Sequence, residues 1–126
     1  MISKDINIAI VGATGAAGGT ALKLLLEREH PADKITLMAS SRSVGRKILY
    51  GDTHITISEA TSDGFNGIDV AIFAAGGLVS RRLAPRAVEQ GVFVIDKGSI
   101  FRMDPSIPLV VPEVNPHAIA GYTGKG

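Results

Sequence analysis

The chain has 126 residues, 45% of them hydrophobic and 20% charged, with a formal net charge of +1. A single globular domain of this length buries roughly two-thirds of the surface its unfolded chain exposes. The apolar content excludes disorder, and the near-balanced charge argues against a nucleic-acid binder held by phosphate contacts. No apolar run approaches the roughly 20 residues needed to span a membrane, and the amino terminus does not read as a signal peptide. A soluble cytoplasmic protein is therefore the expectation. These residues include no cysteine, which removes disulfides, thiolate catalysis and cysteine-held metals from the chemistry they can carry. His30, His54 and His117 are far apart and in no ligand-like spacing, so no metal is expected. Low aromatic content, with no tryptophan, argues against base-stacking platforms.

In chain order, Ile6 to Val11 is a short isoleucine- and valine-rich run ending at Gly12, the pattern of a strand buried on both faces. Ala16 to Glu29 carries a stripe of Ala17, Ala21, Leu24 and Leu25, widened by Leu22 and Leu26, and predicts a helix lying on a sheet. His30-Pro31 closes it. Ile35 to Ser40 predicts a second strand and Ser41 to Gly45 a polar loop. Lys47 to Ile57, turning at Gly51-Asp52, predicts a hairpin or edge strand. Gly64 to Gly67 is a loop, and Ile68 to Ala75 is another buried strand, broken by Gly76-Gly77. Leu78 to Gln90 predicts a helix that starts near Pro85 or kinks there, because proline costs about 3 kcal/mol in a helix interior. Phe93 to Asp96 and Leu109 to Val111 complete the strands. This alternation implies an α/β, Rossmann-like, doubly wound and mostly parallel sheet with helices on both faces.

Chemistry concentrates at strand ends. Gly12-Ala13-Thr14-Gly15-Ala16-Ala17-Gly18 joins the first strand to the first helix. Gly12 permits the tight turn, Gly15 lets backbone approach a pyrophosphate, and Gly18 lets helix pack on strand. The anion would sit at the helix amino end, against unpaired N–H groups. The alternative is that these glycines serve turn and packing alone. After the second strand the chain reads Ser40-Ser41-Arg42-Ser43, with no carboxylate until Asp52. Arginine among hydroxyls suits the 2′-phosphate of NADP better than the 2′-OH of NAD, unless Arg42 is simply a solvated charge. Ala74-Ala75-Gly76-Gly77 is a small-residue corner where a cofactor could lie along the backbone. Arg102 could bind an anion, or could pair with Asp96 or Asp104.

Taken together, GATGAAG, SSRSVGRKI, DVAIFAAGG and FRMDPSIPLVVPEVNP resemble the amino-terminal portion of aspartate-β-semialdehyde dehydrogenases. The resemblance covers nearly the whole chain, and its FRMD…PLVVPEVN block is more specific than the glycine turn. It implies NADP-dependent reductive dephosphorylation of β-aspartyl phosphate in lysine, threonine and methionine biosynthesis, by homodimers or tetramers built from dimers. Under it, Gly12, Thr14, Gly15, Ala16 and Ala17 cradle the pyrophosphate. Ser40, Arg42 and Ser43 hold the 2′-phosphate, Ala75 and Gly76 line the cofactor's path, and Arg102 binds the substrate's phosphate or inorganic phosphate. Lys97-Gly98 departs from the Asn-Ser common in the family. The family's catalytic cysteine and histidine lie carboxyl-terminal to the matched region, so the chain is expected to be a truncated cofactor domain, inactive alone. A related acyl-phosphate reductase acting on N-acetylglutamyl phosphate, or a non-catalytic nucleotide-binding module, are the alternatives.

Overall fold

The computed structural model describes residues 4–98, 100–101, 104–110 and 113–121, with the side chains of 119–121 left aside. Six strands form one sheet: β1 (Ile8–Val11), β2 (Ile35–Ala39), β3 (Lys47–Tyr50), β4 (Thr53–Glu59), β5 (Val70–Phe73) and β6 (Phe93–Asp96). Two helices join them, α1 (Ala16–Glu27) and α2 (Gly77–Glu89). The spatial order is β3-β4-β2-β1-β5-β6. Every neighbouring pair is parallel except the β3–β4 hairpin. The expected doubly wound sheet is therefore the fold.

Alternation along β1 divides the interior. Ile8 and Ile10 join Leu22 and Leu25 of α1, together with Ile35, Leu37, Tyr50 and Ile57. Ala9 and Val11 join Leu83, Ala84 and Ala87 of α2 with Met38, Phe65, Phe73 and Val94. Since successive strand residues point to opposite faces, the two helices cover opposite sides of the sheet. All four residues of β1 are buried, as a continuous apolar run at the sheet's centre requires. Winding goes from β1 to β2 on one side and onward to β5 on the other. The carboxyl end of β1 is thus the switch point, where an open α/β sheet leaves a crevice.

Three expectations are corrected, each for a physical reason. α2 begins at Gly77 and runs through Pro85 without a break, so the proline does not mark its start. Pro85 is on the exposed side, while Ser80, Leu83, Ala84 and Ala87 bury the opposite stripe. Packing of that stripe outweighs the lost N–H, and the carbonyl freed at Arg81 is on an exposed residue. Leu109 and Val110 are not a strand. They follow a turn in which Asp104 Oδ1 accepts from the Ser106 N–H at 2.9 Å and from its hydroxyl at 2.6 Å. No sheet ladder reaches them; Val111 lies outside the described residues.

α1 also stops two residues before the expected Glu29. Glu29 takes φ 59°, its N–H donates to the Leu26 carbonyl at 2.9 Å, and the His30 N–H donates to Leu25 at 3.0 Å. That is the paired closure of a Schellman motif, with glutamate where glycine is usual.

Candidate functional site at the carboxyl end of the sheet

β1 ends in a turn fixed from both sides. The N–H groups of Gly12 and Ala13 both donate to the Met38 carbonyl at 2.8 and 3.2 Å, and Ala74 N–H donates to Val11 at 2.8 Å. Gly12 has φ +93°, and a Cβ there would lie 2.7 Å from the Ala74 carbonyl carbon and oxygen. A Cβ on Gly18 would collide with the Gly12 carbonyl oxygen, so α1 rests directly on the turn. Gly15 differs. It is exposed, has an ordinary extended conformation (φ −84°, ψ 171°), and leaves 3.5 Å between a built Cβ and its nearest neighbour. Protein packing therefore explains two of these three glycines and leaves Gly15 unexplained.

Gly15 is the N-cap of α1, and no side chain caps this helix or places an acid in its first turn. The opening N–H groups, at Ala16, Ala17 and Gly18, have no intrahelical acceptor and carry the positive end of the helix dipole. Ala16 and Ala17 are exposed beside them.

A cleft of about 530 Å³ opens at this point. Gly12, Thr14, Gly15, Ser40 and Ala75 of the expected set line it. Ala16, Ala17, Arg42, Ser43 and Gly76 are not among its lining residues. Arg42 is exposed on the single 3-10 turn Ser41–Ser43, whereas Ser43 is buried beneath it, its N–H donating to Ser40 at 2.9 Å. Gly76 is the exposed N-cap of α2.

Ser41 of the Ser40–Ser43 run also lines the cleft, as do Glu59, Ala60, Val79 and Arg82, which the sequence reading missed. Glu59 arrives through pairing: in the parallel β2–β4 ladder it lies level with Ala39, and Ala60 N–H donates to the Ala39 carbonyl at 2.9 Å. A carboxylate thus reaches the end of β2 from a different strand. Val79 and Arg82 are three apart on α2, a spacing that places them on one helix face. Both lie within the expected Leu78–Gln90 helix, but the spacing alone does not tell which helix face meets the cleft.

At the end of β6, Asp96 Oδ1 accepts from the fully buried Ser80 hydroxyl at 3.1 Å and from Gly98 N–H at 2.8 Å. Its Oδ2 is buried without a hydrogen-bond partner. A Cβ on Gly98 would lie 3.1 Å from Asp96 Oδ1, a close contact to which the carboxylate would have to yield. Lys97 beside it is exposed. Arg102 lies outside the described residues. Among the described residues there is no cluster of three or more metal-ligating side chains, and no helix long and apolar enough to cross a membrane.

The family described as "Semialdehyde dehydrogenase, NAD binding domain" matches residues 7–122. The chain is 45% identical over 123 residues to the aspartate-semialdehyde dehydrogenase of Bacillus subtilis, covering 98% of this chain and 36% of that protein. The crystal structure of aspartate semialdehyde dehydrogenase II from Vibrio cholerae, complexed with ASA, superposes with a TM-score of 0.85 at 46% identity. That match covers 94% of this chain and 39% of that one. The Candida albicans enzyme, crystallised with NADP, matches with a TM-score of 0.74 at 31% identity over 92% of this chain and 36% of that one. The chain thus spans little more than a third of the length of these proteins.

Proposed function

Because the chain belongs to the semialdehyde dehydrogenase NAD binding domain family, we propose that it is the NADP-binding portion of an aspartate-semialdehyde dehydrogenase. The whole protein would reduce β-aspartyl phosphate to aspartate semialdehyde and release phosphate, on the route to lysine, threonine and methionine. NADPH supplies the hydride for that step. The observation that carries the reading is Gly15, a glycine at the helix entrance that neither backbone strain nor internal packing requires. A dinucleotide's pyrophosphate does require it, because any side chain there would stand between the ligand and the α1 N–H groups. The Candida albicans relative crystallised with NADP supports the same assignment.

In this reading Gly12, Thr14 and Gly15 shape the seat, and the N–H groups of Ala16 and Ala17 donate to the pyrophosphate. Ser40 and Ser41 donate hydroxyls to the adenosine end. Arg42 reaches in from its exposed turn to pair with the 2′-phosphate, with Ser43 holding the turn beneath it. Ala75 and Gly76 let the nicotinamide half pass close to backbone. Arg102 binds the phosphate of the substrate. The thioester chemistry that accompanies this reaction needs a thiol, and these 126 residues contain none. The chain alone binds cofactor without turning it over, and the complete protein works as a cytoplasmic homodimer.

Calorimetric titration of the 126-residue chain with NADPH and NADH tests the proposal, with folding checked by circular dichroism. Binding of NADPH tighter than millimolar is expected, and Arg42→Ala should weaken NADPH about tenfold or more while leaving NADH nearly unchanged, since a charge-assisted phosphate contact is lost. A folded chain that binds neither dinucleotide overturns the proposal. Equal losses for both dinucleotides remove Arg42 from the 2′-phosphate.

A further inference from the structure

Arg82 is the one cationic side chain among the residues lining the cleft. It comes from α2, on the face of the sheet opposite α1, and the sequence motifs do not include it. Val79, one turn earlier on the same helix face, lines the cleft with it. Ala60, Ala75 and Val79 all pack against the apolar cluster beneath α2. Beyond Ser40 and Ser41, this part of the cleft presents the small apolar side chains of Ala60, Ala75 and Val79, with the Glu59 carboxylate and the Arg82 guanidinium beside them. The single ion pair among the described residues is Arg86–Glu89, at 3.3 Å on the exposed side of α2, and Arg82 takes no part in it.

An apolar wall suits a flat ring and gives a phosphate no donors. A guanidinium is planar and weakly hydrated, and it stacks on aromatic faces in a way that an ammonium does not. A dinucleotide whose pyrophosphate sits at the α1 entrance extends its adenosine toward the end of β2, which is this corner of the cleft. We infer that Arg82 is a binding determinant for the adenine ring, lying over the base while Ala60 and Val79 support it, and acting independently of the 2′-phosphate. The inference rests on the dinucleotide reading above and adds a residue and a subsite to it. It divides the two arginines by role: Arg42 distinguishes NADP from NAD, and Arg82 holds whatever carries adenine.

The test measures dissociation constants of the wild-type chain, Arg82→Ala and Arg82→Lys for NADPH, NADH and 5′-AMP. Arg82 is exposed, so the variants are expected to fold, which circular dichroism verifies. Arg82→Ala should weaken all three ligands by a similar factor, roughly 5- to 30-fold. Arg82→Lys should recover little of the loss, because its charge is kept while the planar group is gone. Unchanged affinities in Arg82→Ala overturn the inference and leave the dinucleotide reading standing. A loss confined to NADPH and restored by lysine also overturns it, and makes Arg82 a phosphate contact. Wild-type protein that binds none of the three overturns both readings.

Discussion

Gly15 and Gly18 are separated by one helical turn at the entrance to α1, and their surroundings make opposite demands on a substitution. A methyl group at Gly18 would meet the Gly12 carbonyl, backbone that cannot move without disturbing β1. A Cβ at Gly15 has room, and its N-cap conformation suits serine. Gly18→Ala should therefore lose about 1–3 kcal/mol in urea denaturation through overpacking. Gly15→Ser should leave the denaturation midpoint unchanged or slightly raised, yet weaken NADPH at least tenfold, because a capping hydroxyl competes for the N–H groups that would hold pyrophosphate. If Gly15→Ser kept full affinity, that turn would not be the phosphate seat. The glycine turn was legible in sequence because its spacing encodes close approach of nearby segments. Glu59 and Arg82 were not, since each reaches the cleft only through β2–β4 pairing or through the face that α2 presents.

The helices show how local signals fare against packing. For α1, the expected stop at His30-Pro31 gives way to a stop at Glu27, because Glu29 enters the left-handed region and closes the helix itself. A non-glycine residue there carries a steric cost of order 1 kcal/mol, partly offset by its smaller unfolded-state entropy. Glu29→Gly should raise stability by about 0.5 kcal/mol, seen as a rise of a degree or two in Tm by calorimetry. A fall in Tm would mean that the glutamate contributes something besides its backbone angle. For α2, the sequence reading left a start near Pro85 or a kink there, and the start is the outcome that fails. The buried stripe from Ser80 to Ala87 is enough to carry helix through it. Strand positions were legible because continuous isoleucine and valine runs have few alternatives at the centre of a parallel sheet. Leu109 and Val110 have similar composition but no neighbouring strand, so composition alone misassigned them.

Across the whole molecule, distant segments are tied by a few buried polar contacts. The Tyr50 hydroxyl at the end of β3 donates to the His30 carbonyl at 2.6 Å, and His30 Nε2 lies 2.9 Å from the Ile6 carbonyl. The hairpin, the α1–β2 connection and the entry to β1 are thereby joined. Burial raises the Tyr50 pKa above the ordinary tyrosine value. Ionisation would place a charge in the core and delete the donor. The contribution is therefore complete below about pH 10, where the unfolded tyrosine also keeps its proton, and is lost as pH rises through the folded value. Urea midpoints should fall as pH rises above about 10, and Tyr50→Phe should be less stable at neutral pH but show a shallower alkaline decline. Parallel alkaline curves for the two proteins would show that this tyrosine does not couple to folding.

The division of β1 between two apolar clusters makes the sheet a partition as well as a scaffold. The proposed phosphate seat at the α1 entrance adjoins the cluster under α1, and Val79 beside Arg82 packs on the one under α2. If the two proposed contacts hold, lineages can retune grip on the diphosphate and grip on the base by separate drift, with the central strand as their common and least negotiable wall.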